Sequence, residues 1–225
     1  MLGSKSMVIK TLTEIRETEE GTFIKAPFMF HYLPSSNTLV AIHLPYVGYD
    51  FDEGRSEHTL GDIELLFKYQ FLRKDRMAKT FRMVAKTLQT FPTGPSIGID
   101  GISTGNYQSY TGIVAGYESI KYGITNEVGY NFSPSDNLDE LRYKLGIGLP
   151  LLKPSYPVNQ LNLYFEYQMG WFTEPNDLIL LYAQGIQYAK GRVTVEAAIQ
   201  LPLVQTIPST KKRKYSLFLG TRYFI

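Results

Sequence analysis

The sequence predicts an all-β protein: twelve antiparallel strands closed into a transmembrane barrel. Three observations carry that prediction. Apolar and polar residues alternate over stretches longer than the usual soluble strand, the apolar phase carries almost no charge, and the connections alternate between short and long. A two-residue period belongs to extended chain, because successive side chains point to opposite faces of the pleat.

The first expected strand, 7–16, alternates, with threonine supplying much of its apolar side. Spans 22–33 and 37–50 follow across the short turn LPSSN. In 60–72, Ile63, Leu65, Phe67, Tyr69 and Phe71 share one face against Asp62, Glu64, Lys68 and Gln70, with Leu66 the exception. Spans 78–91, 106–120 and 122–132 continue the series. In 140–152, Leu141, Tyr143, Leu145, Ile147 and Leu149 oppose Arg142, Lys144, Gly146 and Gly148. In 159–172, LNLYFEYQMGW sets Leu161, Leu163, Phe165, Tyr167, Met169 and Trp171 against Asn162, Tyr164, Glu166, Gln168 and Gly170. After 178–189, span 192–205 opposes Val193, Val195, Ala197 and Ile199 to Thr194, Glu196, Ala198 and Gln200. The last, 214–225, sets Tyr215, Leu217, Leu219 and Tyr223 against Lys214, Ser216, Gly220 and Arg222.

Spans of about 10 to 14 residues match or slightly exceed what crosses a bilayer when tilted. LPSSN, RKDRM, KPSYPVN and AKGR are short, whereas DFDEGRSEHTLG, PTGPSIGIDGISTGN and QTIPSTKKR are long. Short turns at one end and long loops at the other mark an outer-membrane barrel whose termini lie at the periplasmic end. A soluble β-sandwich also alternates. Its strands are shorter, and its aromatic residues would sit mid-strand. Here Tyr32, Tyr46, Tyr49, Phe51, Phe71, Tyr130, Phe132, Trp171, Phe172 and Tyr223 gather near strand ends, as interfacial girdles require.

Composition narrows the classes further. Lys+Arg 23 against Asp+Glu 21 leaves a net charge of +2, without the basic field of a nucleic-acid binder. Cysteine is absent, so disulfide frameworks and thiolate metal sites are excluded. No apolar run approaches the roughly 18 residues of a membrane helix. The opening MLGSKSM lacks the apolar core of a signal peptide, so residues 1–6 are expected to be an artificial or flexible leading segment, with any export signal already removed. Residues 7–225 are expected to form one barrel domain.

The inward phase supplies the candidate functional residues. It holds Lys10, Glu14, Arg16, Lys25, Glu64, Lys68, Arg82, Lys86, Glu118, Glu127, Arg142, Lys144, Glu166, Glu196 and Arg222. Eight strands can fill their own interior and sixteen leave a wide channel, so twelve should leave a narrow one. Opposed cations and carboxylates in it read either as a pore selecting small solutes by size and charge, or as an ion-pair network that braces and blocks the lumen. The rival class is a lipid-modifying enzyme or structural barrel with a closed lumen. It would need a serine, a histidine and an orienting partner, but His31 and His43 fall in the inward phase, His58 falls in an acidic outer loop, and none has a partner motif. The expectation is therefore a non-enzymatic barrel without cofactor or metal.

Further features concern the loops, the prolines and the end of the chain. PTGPSIGIDGISTGN lacks the Lys-Ser/Thr ending of a phosphate-binding loop and reads as an outer loop folding over or into the pore. Lys211, Lys212, Arg213 and Lys214 in the last outer loop could hold lipopolysaccharide phosphates or simply be solvated. Pro45, Pro150 and Pro202 recur after Leu in the inward phase, and each reads as a bulge or a strand end. Gly220, Tyr223 and Ile225 resemble the terminal signal read by the barrel-assembly machinery, with Ile in place of the usual Phe.

GDIELLFKYQF (61–71), the Pro92-Thr93-Gly94 closing the fifth strand, and the strands RYKLGIGLP and VEAAIQLPL resemble the outer-membrane channel family named for transport in the MetA pathway of phenol degradation. The likeness spans roughly residues 22–225, with Pro95 where that family commonly has Asp. It implies a monomeric twelve-stranded channel in the bacterial outer membrane, surrounded by its lipid and lipopolysaccharide. The implied cargo is small aromatic or hydrophobic molecules, and the family offers no catalytic residues to carry over.

Overall fold

The computed structural model describes residues 5–95, 106–134, 139–153, 155–174, 176–208 and 212–225. Among them lie thirteen strands: β1 (Ser6–Thr18), β2 (Gly21–Ser35), β3 (Thr38–Phe51), β4 (Ser56–Leu60), β5 (Ile63–Arg76), β6 (Lys79–Phe91), β7 (Gln108–Ser119), β8 (Gly123–Phe132), β9 (Glu140–Pro150), β10 (Asn159–Phe172), β11 (Asp177–Lys190), β12 (Val193–Gln205) and β13 (Arg213–Phe224). Twelve of them form a closed antiparallel ring, because β2 pairs with both β1 and β3 while β1 pairs with β13. Closure leaves no edge with unpaired N–H and C=O groups, which hydrocarbon demands.

The thirteenth strand arises from a break in the expected span 60–72. β3 pairs with β5 through Thr38–His43 and with β4 through Tyr46–Asp50. β4, Gly61, Asp62 and β5 therefore run as one interrupted line. The interruption is filled by the end of β6. The Asp62 carboxylate accepts the Gly94 N–H at 2.9 Å, Thr93 Oγ1 accepts the Ile63 N–H at 2.9 Å, and the Gly61 N–H donates to the Pro45 carbonyl at 2.7 Å. A Cβ on Gly94 would lie 2.7 Å from the Gly61 carbonyl carbon, so only glycine admits this approach. His58, expected in a loop, is instead on β4, where it bonds Asp50 at 2.9 Å and stacks on Tyr46.

The two faces separate as the alternation requires. On β5, Leu65, Phe67, Tyr69 and Phe71 are 43 to 48% exposed, while Leu66 between them is 6% exposed. Phe28, Phe30 and Tyr32 on β2, Val128, Tyr130 and Phe132 on β8, and Leu217, Leu219 and Tyr223 on β13 share the outward face. An apolar face turned outward around a closed ring belongs in lipid, since water would oppose such a surface. Exposed charges sit at strand ends, as with Arg73, Lys74, Lys121 and Arg192. The fold is the outer-membrane type of barrel.

The aromatic girdle needs correction at Tyr49, Phe51 and Phe172, which pack on the inward side. Tyr49 is fully buried and faces inward with Phe23 and Val47, Phe51 packing beside them. Its odd position on β3 puts it in the same phase as Ala41, His43 and Val47, whereas Tyr46 is in the outward phase. A second inward apolar cluster joins Ile179, Leu181 and Ile207, with Phe172 against it. Both clusters lie at the long-loop end, on different arcs of the ring.

Two of the three prolines follow the expected readings, one each, and the third follows neither. Pro202 stands opposite Leu181 at a register shift, a bulge. Pro150 ends β9. Pro45 lies mid-strand directly opposite Pro27, so neither residue of that pair can donate to the ladder.

Candidate functional site

The candidate site is the inner wall. Every inward position is followed two residues later by another on the same face, and cross-strand partners share that face. Neighbouring strands therefore assemble their charges into rows. Lys25 on β2 reaches Glu64 on β5 at 2.8 Å, and the second Glu64 oxygen meets His43 Nδ1 on β3 at 3.0 Å. Lys86 on β6 donates to Glu127 on β8 at 2.6 Å, and the Tyr110 hydroxyl on β7 donates to the same oxygen at 2.6 Å. Glu196 on β12 lies between Lys10 on β1 at 3.6 Å and Arg222 on β13 at 3.5 Å, with Gln187 donating at 2.9 Å. Arg142 bonds Glu140 at 2.6 Å, and Glu14 takes Arg16 at 2.8 Å and Arg213 at 4.0 Å.

Inward glycines let these long side chains lie along the wall. A Cβ on Gly129 would strike the Tyr110 ring, and one on Gly220 would sit 2.7 Å from Glu196 Cγ. Small neighbours thus keep Tyr110 and Glu196 flat, and lumen volume that a side chain would take stays free. Lys10, Lys25, Arg142 and Arg222 keep 21 to 31% of their side-chain surface accessible to water.

Of the residues expected inside, Lys10, Glu14, Arg16, Lys25, Glu64, Lys86, Glu127, Arg142, Glu196 and Arg222 are brought together by these pairs. Arg82 meets Glu118 at 3.9 Å near the short turn between β7 and β8, where the Glu118 side chain is 61% exposed, a rim position. Lys68, Lys144 and Glu166 sit in the inward phase without an ion pair to another described residue. Three further participants were not singled out, and a fourth, Arg213, was expected in the last outer loop. Glu140 shares a face with Arg142 by the two-residue rule, a signal that was available. Arg213 turns inward because the register shifts between Glu17 and Thr18, which no periodicity reveals. Tyr110 and Gln187 lacked a charge to attract notice. Residues 96–105 of the long loop and Lys211 lie outside the described residues. Among those described, no group of three His, Asp or Glu side chains could hold a metal ion.

No protein-family model and no curated protein matches the chain. Solved structures do share its fold. The COG4313 outer membrane channel from Pseudomonas putida F1 superposes with a TM-score of 0.72 at 10% identity, over 100% of this chain and 97% of that one. The NanC porin gives 0.62 at 8% identity and the KdgM porin 0.61 at 9%, each over 96% of this chain and 98% of its own. At these identities the likeness is one of fold.

Proposed function

We propose that the protein is a passive channel of the bacterial outer membrane, admitting small molecules, aromatic or hydrophobic ones among them, through a narrow charge-lined lumen. One observation carries the reading: the inner wall is charged and reached by water, although a barrel built only to span the bilayer could fill that space with apolar side chains. Lys25, Glu64, Lys68, Arg82, Lys86, Glu118, Glu127, Arg142, Lys144, Glu166, Glu196 and Arg222 are the proposed lining. Pairing of most of these charges, within a strand, between neighbours or across an intervening strand, braces the wall, leaving the central space to solute. The apolar clusters around Tyr49 and Leu181 pack at the outer end of the barrel without exposing surface to a solute. The family resemblance implies small aromatic or hydrophobic cargo.

The same reading makes the chain a monomer, assembled through recognition of its last strand at Gly220, Tyr223 and Ile225. No enzymatic role is assigned: among the described residues neither His43 nor His58 bonds a serine directly. Liposome swelling tests the proposal with a panel of sugars, amino acids and aromatic acids. Swelling with at least the smallest solutes is expected; a folded, vesicle-inserted protein that admits none of them defeats it.

A further inference from the structure

Five consecutive strands of the ring, β13, β1, β2, β3 and β5, place Arg222, Lys10, His31, His43 and Lys68 on one arc of the inner wall. Their bonding is incomplete in a consistent way. Among the described residues, Arg222 Nε, His31 Nε2 and His43 Nε2 are buried without a hydrogen-bond partner, as is Arg82 Nε on β6, outside this arc. The two imidazoles stack with ring centroids 5.5 Å apart and planes at 18°. The Lys68 ammonium forms no ion pair with a described residue, and it lies within electrostatic reach of Lys86, Lys10 and Arg222, with Glu127 the opposing charge. Lys10 and Arg222 share Glu196, which Gln187 also engages, while the charge opposing Lys68 is Glu127, already held by Lys86 and Tyr110.

Buried nitrogen groups are normally satisfied, and each one left bare costs stability. Several bare ones on one arc, with positive charge in excess, have a common remedy in a bound anion. We propose that this arc is a binding station for the carboxylate of a permeating solute, which deepens the channel reading by naming its preferred cargo as small organic acids. Lys68 supplies the uncommitted charge. His31 can present its Nε2 proton as the neutral tautomer. His43, whose Nδ1 lies 3.0 Å from Glu64, stacks against the His31 ring and holds it in place. The flat imidazole pair offers a surface on which the ring of an aromatic acid can stack. On the opposite arc Lys86 is committed to Glu127 and Arg142 to Glu140, and Lys144, without an ion pair to a described residue, has no imidazole pair beside it.

The site rests on the lumen being accessible, and its test is chosen to be independent of conduction. Benzoate is titrated calorimetrically into the protein folded in detergent micelles, with benzyl alcohol as the uncharged analogue. Benzoate is expected to bind and benzyl alcohol to bind much more weakly. Lys68→Gln should weaken benzoate about fivefold or more, the worth of one unit-charge contact near water, while Lys68→Arg retains it. Lys121→Gln, which removes an exposed charge at a strand end away from the lumen, should leave affinity unchanged. Equal binding of the alcohol, or indifference to Lys68→Gln, overturns the site. Chloride current across planar bilayers reads the channel proposal separately: its absence alongside intact benzoate binding defeats conduction and leaves the anion site standing.

Discussion

The Gly94 N–H and the Asp62 carboxylate, 32 residues apart in sequence, are joined at 2.9 Å where the chain leaves β4 and enters β5. This contact fixes the base of the longest loop to the one interrupted strand of the wall. Gly94→Ala should destabilise the barrel by about 1 to 3 kcal/mol, the usual cost of forced overpacking, since its Cβ would press on Gly61 and Leu60 backbone. Urea midpoints of folding into phospholipid vesicles measure this. A midpoint equal to the parent would mean the clasp is slack.

Glu127 holds both Lys86 and Tyr110. Glu127→Gln is expected to cost about 1.5 to 3 kcal/mol, the worth of hydrogen bonds to a charged group. Removing both charges in Lys86→Met/Glu127→Leu should recover most of that loss, because a cation left alone costs more than an absent pair. The same unfolding series decides, and a double variant as weak as the single one contradicts the pairing.

Lys68 is the reverse case, an inward ammonium without a protein partner. Lys68→Met is predicted to stabilise the barrel by on the order of 1 kcal/mol by removing a poorly solvated charge. Function and stability then trade against each other at one residue. A destabilised Lys68→Met would show that the ammonium already has a compensating partner.

Tyr49 is fully buried at the outer mouth, with its hydroxyl 2.8 Å from Thr18 Oγ1. Tyr49→Ala should cost about 3 kcal/mol or more, as large aromatic truncations do, and should raise single-channel conductance by widening the entrance. Reduced stability with conductance unchanged would place the narrowest section elsewhere.

Strand positions and facing were legible because lipid and lumen impose opposite chemistries on alternate residues. Even 7–16, with threonines on its apolar side, is a full strand from Ser6 to Thr18. The break at Gly61 was hidden because residues 61–71 alternate almost throughout, and its cause, Gly94, is distant in sequence. Tyr49 was assigned to the lipid interface from its nearness to a strand end, although its phase already pointed inward. Charge pairs such as Lys25 with Glu64 skip across β3. Their partners depend on side-chain reach over an intervening strand, which alternation does not encode. Two-residue phase thus predicts which wall a residue faces but not whom it meets there.

The ring is sealed where β1 meets β13: Val8 pairs with Phe224, and the Ile225 N–H donates to the Met7 carbonyl at 2.9 Å. That seam joins residues more than two hundred positions apart, so it is the costliest loop closure in the chain. The final rung cannot form until the last residues are available, and until then two raw margins remain open to other chains. Any shortening at the carboxyl end should therefore trap an unsealed ribbon prone to sticking to its own kind, rather than yield a smaller version of the same cylinder.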